Sequence, residues 1–548
     1  MTEGLLLALA QLNPVMGDIA GNLAKLRQTR QQAQKQGAQL MMTSELYLCG
    51  YPPEDLVLKP SFQEALKDSV DALAKETADG GVAVLLGTPW VEDGQLYNAV
   101  LLLDQGRIAA KVFKHDLPNY GPFDEKRVFT AAPLPEPIEF RGAKLGLMIC
   151  EDMWTPGVAA HLKQRGADIL LVPNGSPYES NKLVEREKLA KQRAQKTALP
   201  LVYLNQIGGQ DELVFDGASF VLDKTGTCVA RAKAWEEDLV YCDIKNINRS
   251  QLNSDEAGLE ETIYNALMLG LRDYVNKNGF PGVVLGLSGG IDSALAATLA
   301  VDALGADKVW CVMLPSPYTS DDSHQDAAAL ARHFKCRYDT LPMTDAMQAF
   351  NGILQPLFSG RVPDTTEENI QARCRGMILM ALSNKFGPMV LSTGNKSEMS
   401  VGYSTLYGDL CGGFAVLKDL YKTQVYKLSH WRNEHKPATG LGPSGIIIPD
   451  RVLTKAPTAE LHPNQKDQDT LPPYDVLDDI LECLIEKDMG VHEIVHRGHD
   501  ATTVTGVWSM LDRAEYKRRQ APPGVKITRR TLGKDRRYPI TNRYRETN

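Results

Sequence analysis

Three side chains in the first half of the chain have the types needed for nucleophilic attack on a carbonyl carbon. Cys150 follows a predicted strand (144–149), so its thiol is expected at a strand edge. A thiol attacks as the thiolate, which needs a nearby base or positive charge, and no histidine flanks Cys150. Glu45 and Lys114 offer another route, with Glu45 taking the thiol proton and Lys114 stabilising the oxyanion. Alone, each residue is more often structural or solvated.

A glycine turn in the second half is suited to hold phosphate. The turn SGG (288–290) lies between a predicted strand (283–287) and a predicted helix (292–304). Converging backbone N–H groups and a helix N-terminus form an anion cradle that fits a pyrophosphate. No Walker A lysine follows; the acid Asp292 stands there, which fits a Mg²⁺ ion held against phosphate oxygens. For a bare SGG, an ordinary turn capped by Asp292 and Ser293 is the alternative.

The elements predicted around these residues make two α/β halves, 1–245 and 259–548, joined by a polar linker at 246–258. The predicted strands of the first half are 5–12, 40–46, 82–87, 98–103, 144–149 and 168–173. Its predicted helices run from about 23 to 36, from about 61, and over 182–198. The second half opens with a helix (259–276), and its strand, turn, helix and strand (308–314) are typical of a doubly wound parallel sheet.

Three further segments of the second half have predicted features. Thr365 and Glu368 have capping-box spacing before an apolar-periodic stretch (370–382). Residues 436–475, rich in Pro, Gly and Asp, suggest an excursion or lid. Residues 513–548, the basic tail, hold twelve Lys and Arg residues against three acidic ones. We expect a solvated tail; the alternative is a segment that folds back onto a phosphate-bearing ligand.

Composition excludes several classes of protein. The 548 residues are 43% hydrophobic and 23% charged, as in a folded chain, and no apolar run has the length of a membrane helix. An acidic residue near the N-terminus argues against secretion. The nine scattered cysteines contain no CxxC pair, which disfavours a disulfide framework or a zinc site and favours a reducing cytoplasm. A net charge of −8 with one basic end makes a poor nucleic-acid binder.

The extended motif SGGxDS resembles the PP-loop of the ATP pyrophosphatases. NIQARCRGMIL (369–379), LSTGNKSEMSVGYSTLYGDLCGGFAVLKDLYKTQVY (391–426) and EYKRRQAPPG (515–524) narrow the resemblance, over 260–548, to the NAD synthetases. The resemblance implies ATP contacts at Gly286, Leu287, Ser288, Gly289, Gly290, Ile291, Asp292, Ser293, Thr393 and Lys422. It implies deamido-NAD contacts at Asn369, Arg373, Glu398 and Lys517, with Mg²⁺ held by Asp292 and Glu398. Ammonia-dependent members tend to carry Lys at the position of Leu406, and the basic tail around Lys517 is the alternative source of that contact.

The first half resembles the Glu–Lys–Cys sites of the nitrilase family of C–N hydrolases. The segments SELYLCGYPPEDL, KVFKHDLPNYGPFDEKRVF and KLGLMICEDMW carry this resemblance, which spans about 1–245. In the branch fused to NAD synthetases, the amide that is hydrolysed is that of glutamine. Tyr120, Ser176 and Lys182 match the positions that hold it, with Lys182 opposite the α-carboxylate and Ser176 supplying a hydroxyl.

Together the halves resemble the glutamine-dependent NAD synthetases. The resemblance implies an αββα sandwich followed by a doubly wound PP-loop domain, a cytoplasmic enzyme, and a homo-oligomer, at least a dimer, built through the synthetase half. It implies no nucleic-acid or membrane partner. Synthetases of GMP or asparagine use unrelated glutaminase domains, and tRNA-thiolating enzymes should show paired cysteines or an RNA-binding appendage. A non-catalytic nitrilase-like scaffold is the remaining alternative, and the complete Glu–Lys–Cys set disfavours it.

Overall fold

A computed structural model describes residues 4–247, 257–463 and 465–544. The chain divides into two compact units, Met1–Ala257 and Gly258–Asn548, and most of the predicted linker, residues 248–256, lies outside the described residues. The strands are β1 Leu6–Gln11, β2 Leu40–Met42, β3 Ala83–Glu92, β4 Gln95–Asp104, β5 Arg107–Phe113, β6 Ile138–Phe140, β7 Ala143–Leu147, β8 Ile169–Asn174, β9 Leu201–Asn205, β10 Ile207–Gln210, β11 Leu213–Asp216, β12 Phe220–Leu222, β13 Cys228–Arg231, β14 Asp238–Asp243, β15 Val283–Gly286, β16 Val309–Met313, β17 Arg337–Thr340, β18 Met389–Ser392 and β19 Phe414–Ala415. The helices are α1 Ile19–Lys35, α2 Pro60–Glu76, α3 Glu125–Val128, α4 Pro156–Gln164, α5 Lys182–Thr197, α6 Leu259–Lys277, α7 Ile291–Leu304, α8 Asp321–Phe334, α9 Thr344–Phe358, α10 Thr365–Phe386, α11 Lys396–Val401, α12 Lys422–Glu434, α13 Asp450–Thr454, α14 Tyr474–Ile485, α15 Val491–His496, α16 Ala501–Arg513 and α17 Glu515–Arg518.

The first unit is a four-layer sandwich. Its two six-stranded sheets have the orders β14-β1-β2-β3-β4-β5 and β13-β12-β9-β8-β7-β6. One apolar cluster joins the facing sides of the sheets, for example Leu9 with Leu171. Helices α1 and α2 cover one outer face and α4 and α5 cover the other. The predicted αββα sandwich is confirmed.

The second unit contains an all-parallel sheet of order β17-β16-β15-β18-β19. Chain order runs from β15 outward to β16 and then returns to β18 on the other side. The carboxyl end of β15 is therefore a topological switch point, where open α/β sheets bind ligands. Helix α7, rich in Ala and Leu, is almost wholly buried against β15 and β16. The predicted doubly wound sheet is confirmed.

The basic tail is packed rather than solvated in the part that the structure describes. Lys526 pairs with Asp535 at 2.6 Å, while Arg518 and Arg536 pair with Glu515 at 2.7 and 3.2 Å. Of these five residues, only Asp535 is partly exposed, and the other four are buried. The net charge of the tail includes Glu515 and Asp535 but does not show that they pair with these basic side chains, and such pairing allows long basic side chains to be buried. The expectation of a solvated tail is wrong here.

The structure also bears on the predicted capping box and on the predicted excursion at residues 436–475. The capping box predicted at Thr365 and Glu368 lies one residue earlier, because Asp364 accepts from a first-turn N–H and Glu367 accepts from the N–H of Asp364 at 2.8 Å. Residues 436–475 include α13, where Arg451 pairs with Asp326 of α8. No helix of the described residues is long and apolar enough to cross a membrane.

Candidate active sites

A buried ionic cluster in the first unit brings together Glu45 and Lys114. The Lys114 ammonium donates to Glu45 Oε1 at 2.6 Å and to both oxygens of Glu125 at 2.9 Å, and the side chains of Glu45 and Lys114 are fully buried. Asn98 donates to Glu45 Oε1 and the Gly175 N–H donates to Oε2. One lone pair of Oε2 therefore remains available to accept a proton.

One ammonium faces two carboxylates in this cluster. Burial by itself lowers the pKa of the Lys114 ammonium, but Glu125 and Glu45 outweigh it and hold that pKa well above its ordinary value. Burial also raises the pKa of Glu125 to about 7, against the opposing effect of Lys114. Lys114 is therefore a permanently charged group in a dry setting, suited to stabilise an oxyanion.

Cys150 is held in a strained backbone conformation beside the cluster. It opens a 3₁₀ turn, Cys150–Met153, three residues after β7 ends at Leu147, and its φ of +48° lies in the left-handed region. Asp152 fixes this turn, since its carboxylate accepts the N–H groups of Ile149, His115 and Asp116. The same carboxylate thus ties the Cys150 turn to the segment directly after Lys114.

The thiol of Cys150 is protonated in this resting arrangement. Burial raises its pKa well above the ordinary value, the Glu45 charge raises it further, and Lys114 acts in the opposite direction. A thiol in such a place reacts when a neighbouring base removes the proton as the nucleophile attacks. The arrangement of Glu45, Lys114 and Cys150 can therefore perform nucleophilic acyl transfer.

Of the three residues predicted to hold glutamine, Tyr120 and Ser176 lie on separate loops and Lys182 lies at the start of a helix. The Tyr120 hydroxyl donates to Glu151, the neighbour of Cys150, at 2.9 Å and the Tyr120 ring is half exposed. Ser176 is buried and follows Gly175, which contacts Glu45. Lys182 begins α5, and its ammonium lies 4.4 Å from the centre of the Trp154 ring. A cavity of about 420 Å³ is lined in part by Glu151 and Thr155.

In the second unit the glycine turn, residues 288–290, is held by hydrogen bonds to and from the hydroxyl of Ser293. Ser288 N–H donates to Ser293 Oγ at 3.2 Å, and Ser293 Oγ donates to the Gly290 carbonyl at 2.9 Å. Gly289 has a φ of +80°, and a Cβ there would lie 2.5 Å from the carbonyl oxygen of Ser323. Glycine is required at this position, and the turn leads into the N-terminus of α7 at the switch point.

Two carboxylates converge on one ammonium beside this turn. Lys422 Nζ lies 2.5 Å from Asp292 Oδ2 and 3.1 Å from Glu398 Oε1, and Asn395 donates to Asp292 Oδ1 at 2.9 Å. Burial raises the pKa of Glu398 to about 8, against the opposing effect of Lys422. Thr393 directly follows β18 at the same sheet edge. The sequence-predicted ATP and metal residues Asp292, Glu398 and Lys422 are in contact.

A second group of predicted residues meets on the loop after α11. The Thr405 hydroxyl donates to Asn369 Oδ1 at 2.8 Å, and Arg373 Nε donates to the carbonyl of Leu406 at 3.2 Å. Asn369 and Arg373 are one turn apart on α10, which explains why both reach this loop.

Lys517 of the basic tail reaches the same loop. Its ammonium donates to the carbonyls of Gly402 and Ser404 at 2.8 and 2.6 Å. Gly402, with a φ of +73°, ends α11, and a Cβ there would lie 2.8 Å from Ala514. The tail therefore places a lysine within two residues of Leu406.

Comparisons with known proteins match each unit to a family. The carbon-nitrogen hydrolase family matches residues 6–250, and the NAD synthase family matches residues 263–521. A Rhodobacter capsulatus protein named glutamine-dependent NAD(+) synthetase is 48% identical over 552 residues, with 100% of each chain covered. The chain belongs to the glutamine-dependent NAD(+) synthetase family. A Thermotoga maritima member is 43% identical, with 98% of each chain covered.

A solved member of this family has the same fold. The glutamine-dependent NAD⁺ synthetase of Acinetobacter baumannii, in complex with adenosine diphosphate, is 42% identical, with 98% of this chain and 99% of that chain covered and a TM-score of 0.79. A Cytophaga hutchinsonii member, 21% identical with a TM-score of 0.83, shares the fold.

Sequence reasoning missed several residues of both sites. Glu125 lies inside the quoted segment that also contains Lys114, yet its charge could not be assigned to the site without the fold. Asp152 lies two residues after Cys150, and nothing in the sequence indicates that its carboxylate accepts the N–H groups of both Ile149 and His115. Asn395 precedes α11 and reaches Asp292 across 103 residues of chain. Only contacts between distant segments reveal these roles.

Proposed function

We propose that this protein hydrolyses glutamine in its first unit and uses the ammonia to convert deamido-NAD to NAD⁺ in its second, with ATP split into AMP and pyrophosphate. The observation that carries the proposal is the presence of two complete polar sites in one chain. One holds a strained cysteine beside a buried lysine and carboxylate, and the other holds an anion cradle beside two carboxylates and a lysine. Family membership supports the same pairing.

In the first site, Cys150 attacks the carboxamide carbon of glutamine while Glu45 Oε2 accepts the thiol proton. Lys114 stabilises the oxyanion, and Glu45 returns the proton to the departing ammonia. Water then attacks the thioester, with Glu45 again as base, and releases glutamate. We assign Tyr120, Ser176 and Lys182 to hold glutamine, with the Lys182 ammonium opposite its α-carboxylate.

Glu125 should support this chemistry through Lys114. We expect Glu125→Gln to lower kcat for glutamine hydrolysis by about 100-fold, since Lys114 loses one of its two ion-pair partners and Glu45 bears more of its charge. The measurement is glutamate release at saturating glutamine. Glu92→Gln, which neutralises an exposed partner of Lys111, is the matched control and should change kcat by less than about twofold. Equal rates in wild type and Glu125→Gln would remove Glu125 from the site.

In the second site, residues 286–293 bind the phosphates of ATP through backbone N–H groups, and Thr393 contacts the nucleotide. The carboxylate of deamido-NAD attacks the α-phosphorus, and Lys422 stabilises the pyrophosphate that leaves. A carboxylate is a poor acyl donor, and the adenylate supplies the leaving group that ammonia displaces. Asn369, Arg373 and Lys517 bind deamido-NAD together with Glu398.

Asp292 and Glu398 are suited to hold Mg²⁺. Both offer hard carboxylate oxygens next to the anion cradle, and Lys422 already brings them together. In the described part of the chain no cluster of three or more His, Cys, Asp or Glu residues could hold a metal ion, so phosphate oxygens and water would complete the coordination. Bound Mg²⁺ would neutralise charge on the pyrophosphate.

We also propose a homodimer, or a larger assembly, through the synthetase unit. None of the residues of α9 is buried, and Phe350, Ile353 and Leu357 expose apolar side chains on one helix face, with Ile353 at 70% and Leu357 at 79%. A second copy of the chain is the proposed occupant. Nine free cysteines support the cytoplasm as the compartment.

The α9 face can be tested by adding charge. We expect Ile353→Glu combined with Leu357→Glu to convert the wild-type oligomer to a monomer, because buried carboxylates at an interface are strongly unfavourable. Light scattering during size-exclusion chromatography measures the mass. Leu441→Glu, an exposed leucine outside α9, is the control and should keep the wild-type mass. A double variant that still elutes as the wild-type oligomer would exclude this face.

The direct test of the proposed function supplies ATP, Mg²⁺ and deamido-NAD with either glutamine or ammonium and measures NAD⁺ and AMP. We expect NAD⁺ and AMP in equal amounts from both donors. ADP instead of AMP, or no NAD⁺ from either donor, would contradict the proposal.

A further inference from the structure

A fully buried arginine in the first unit donates hydrogen bonds to one carboxylate and to one turn, residues 175–177. Arg186 of α5 has no exposed surface. Its Nη1 donates to Asp216 Oδ1 and Oδ2 at 2.6 and 2.9 Å, and Asp216 ends β11. The ion pair compensates the charge of each group, which neither could keep if buried alone.

The remaining donors of Arg186 hold the turn 175–177. Nε donates to Ser176 Oγ at 3.0 Å, and Nη2 donates to the carbonyls of Ser176 and Pro177 at 2.7 and 2.6 Å. The turn also contacts the Glu–Lys–Cys cluster, because the Gly175 N–H donates to Glu45 at 2.9 Å. Arg186 therefore fixes both the backbone and the side chain of the residue assigned to glutamine.

The contact with Arg186 also sets the polarity of the Ser176 hydroxyl. A guanidinium can only donate, so Ser176 Oγ must accept from it, and the hydroxyl hydrogen is donated to another acceptor, either an oxygen of the substrate or the neighbouring Tyr203 hydroxyl. The acceptors of glutamine are its α-carboxylate and its amide oxygen. A hydroxyl oriented in this way favours a ligand with an oxygen acceptor over one with an additional ammonium group.

We propose that Arg186, with Asp216, is a positioning residue for glutamine: it fixes the turn 175–177 and presents the Ser176 hydroxyl as a donor to the substrate. The inference rests on the proposed function, in which Ser176 contacts glutamine. A purely structural ion pair would lower stability and reduce the use of every substrate of the unit. A positioning role instead raises KM for glutamine while the chemistry at Cys150 persists.

The test measures kcat and KM for glutamine hydrolysis in Arg186→Met and Arg186→Lys. We expect KM to rise by about tenfold or more in Arg186→Met, with a smaller fall in kcat, because a charge-assisted donor set is lost. Arg186→Lys keeps the charge opposite Asp216 but cannot reach both carbonyls, so its KM should be intermediate. The rate of Cys150 alkylation by iodoacetamide, which does not require a bound glutamine, should stay within about threefold of wild type and reports an intact site.

A matched control removes another ion pair of the same helix. Arg231 pairs with Glu187, the neighbour of Arg186 on α5, at 2.7 Å. Arg231→Met should change KM for glutamine by less than about twofold. If Arg231→Met raised KM as much as Arg186→Met, or if kcat and the alkylation rate fell together with no change in KM, the positioning role would be wrong.

The double variant with Ser176→Ala separates this inference from the proposed function. We expect Ser176→Ala alone to raise KM for glutamine. The KM of the double variant should lie within about threefold of the KM of Arg186→Met, because both substitutions remove the same interaction. No effect of Ser176→Ala would overturn the glutamine contact itself. An effect of Ser176→Ala with wild-type KM in Arg186→Met and Arg186→Lys would overturn the positioning role alone.

Discussion

Replacing Cys150 by alanine is expected to abolish NAD⁺ formation from glutamine while ammonium still supports it. The variant lacks the sulfur that we propose as the nucleophile, and neither Glu45 nor Lys114 can replace it in that role. We expect glutamine-dependent kcat to fall by at least about 1,000-fold, and ammonium-dependent kcat to stay within about twofold of wild type. Both rates are measured as NAD⁺ released per enzyme per second.

A second buried cysteine of the same unit provides the matched control. Cys49 is fully buried, and burial raises its pKa above the ordinary value as at Cys150, but its backbone does not have a positive φ. Cys49→Ala should keep glutamine use within about threefold. Glutamine-dependent synthesis at the wild-type rate in Cys150→Ala would show that the nucleophile is assigned to the wrong residue.

Replacing Asp292 by alanine should have a different signature. NAD⁺ formation from both glutamine and ammonium is expected to fall by at least about 1,000-fold, because the phosphate site loses a carboxylate and Lys422 loses its nearer partner. Glutamine hydrolysis occurs in the other unit, and Cys150 should remain open to alkylation. Paired measurements of NAD⁺ and of iodoacetamide labelling separate the loss of synthesis from general unfolding.

The control for Asp292 uses an acid in the first turn of a neighbouring helix. Asp321 is an exposed acid in the first turn of α8, as Asp292 is in the first turn of α7. Removing either acid weakens a favourable helix-terminus interaction by a similar small amount. Asp321→Ala should therefore synthesise NAD⁺ at nearly the wild-type rate. Normal turnover in Asp292→Ala with either donor would exclude Asp292 from the metal and ATP site.

Much of the fold could be predicted from local pattern. The strand, SGG turn and helix around Asp292 follow from an apolar run, two glycines and a small-residue helix, and the structure has β15 and α7 there. Strand ends were less predictable. The predicted strand 40–46 stops at Met42, and Glu45 lies on an irregular segment where Leu46 has a φ of +48°. Tertiary contacts decide such boundaries.

The supporting residues of both sites could not be predicted, for a physical reason. In the sequence, Arg186 is one of several charged residues on a polar helix. Only the fold brings the carboxylate of Asp216 into contact with it. The basic tail is predicted to be solvated from its net charge, yet it also packs against residues distant in sequence: Lys396 and Asp419, buried and 2.8 Å apart, both bond to Thr528 of the tail. Net charge within a segment carries no information about partners distant in sequence.

The central claim is that nitrogen released by Cys150 becomes the amide nitrogen of NAD⁺. Glutamine labelled with ¹⁵N at its carboxamide, supplied with ATP, Mg²⁺ and deamido-NAD in buffer containing excess unlabelled ammonium, tests it by mass spectrometry of the product. We predict that the product NAD⁺ is heavier by one mass unit. Its labelled fraction should exceed the fraction expected if the released ammonia mixed completely with the bulk ammonium. Cys150→Ala should give no labelled NAD⁺. Unlabelled NAD⁺ from the wild-type protein, or equal labelling in Cys150→Ala, would contradict the account.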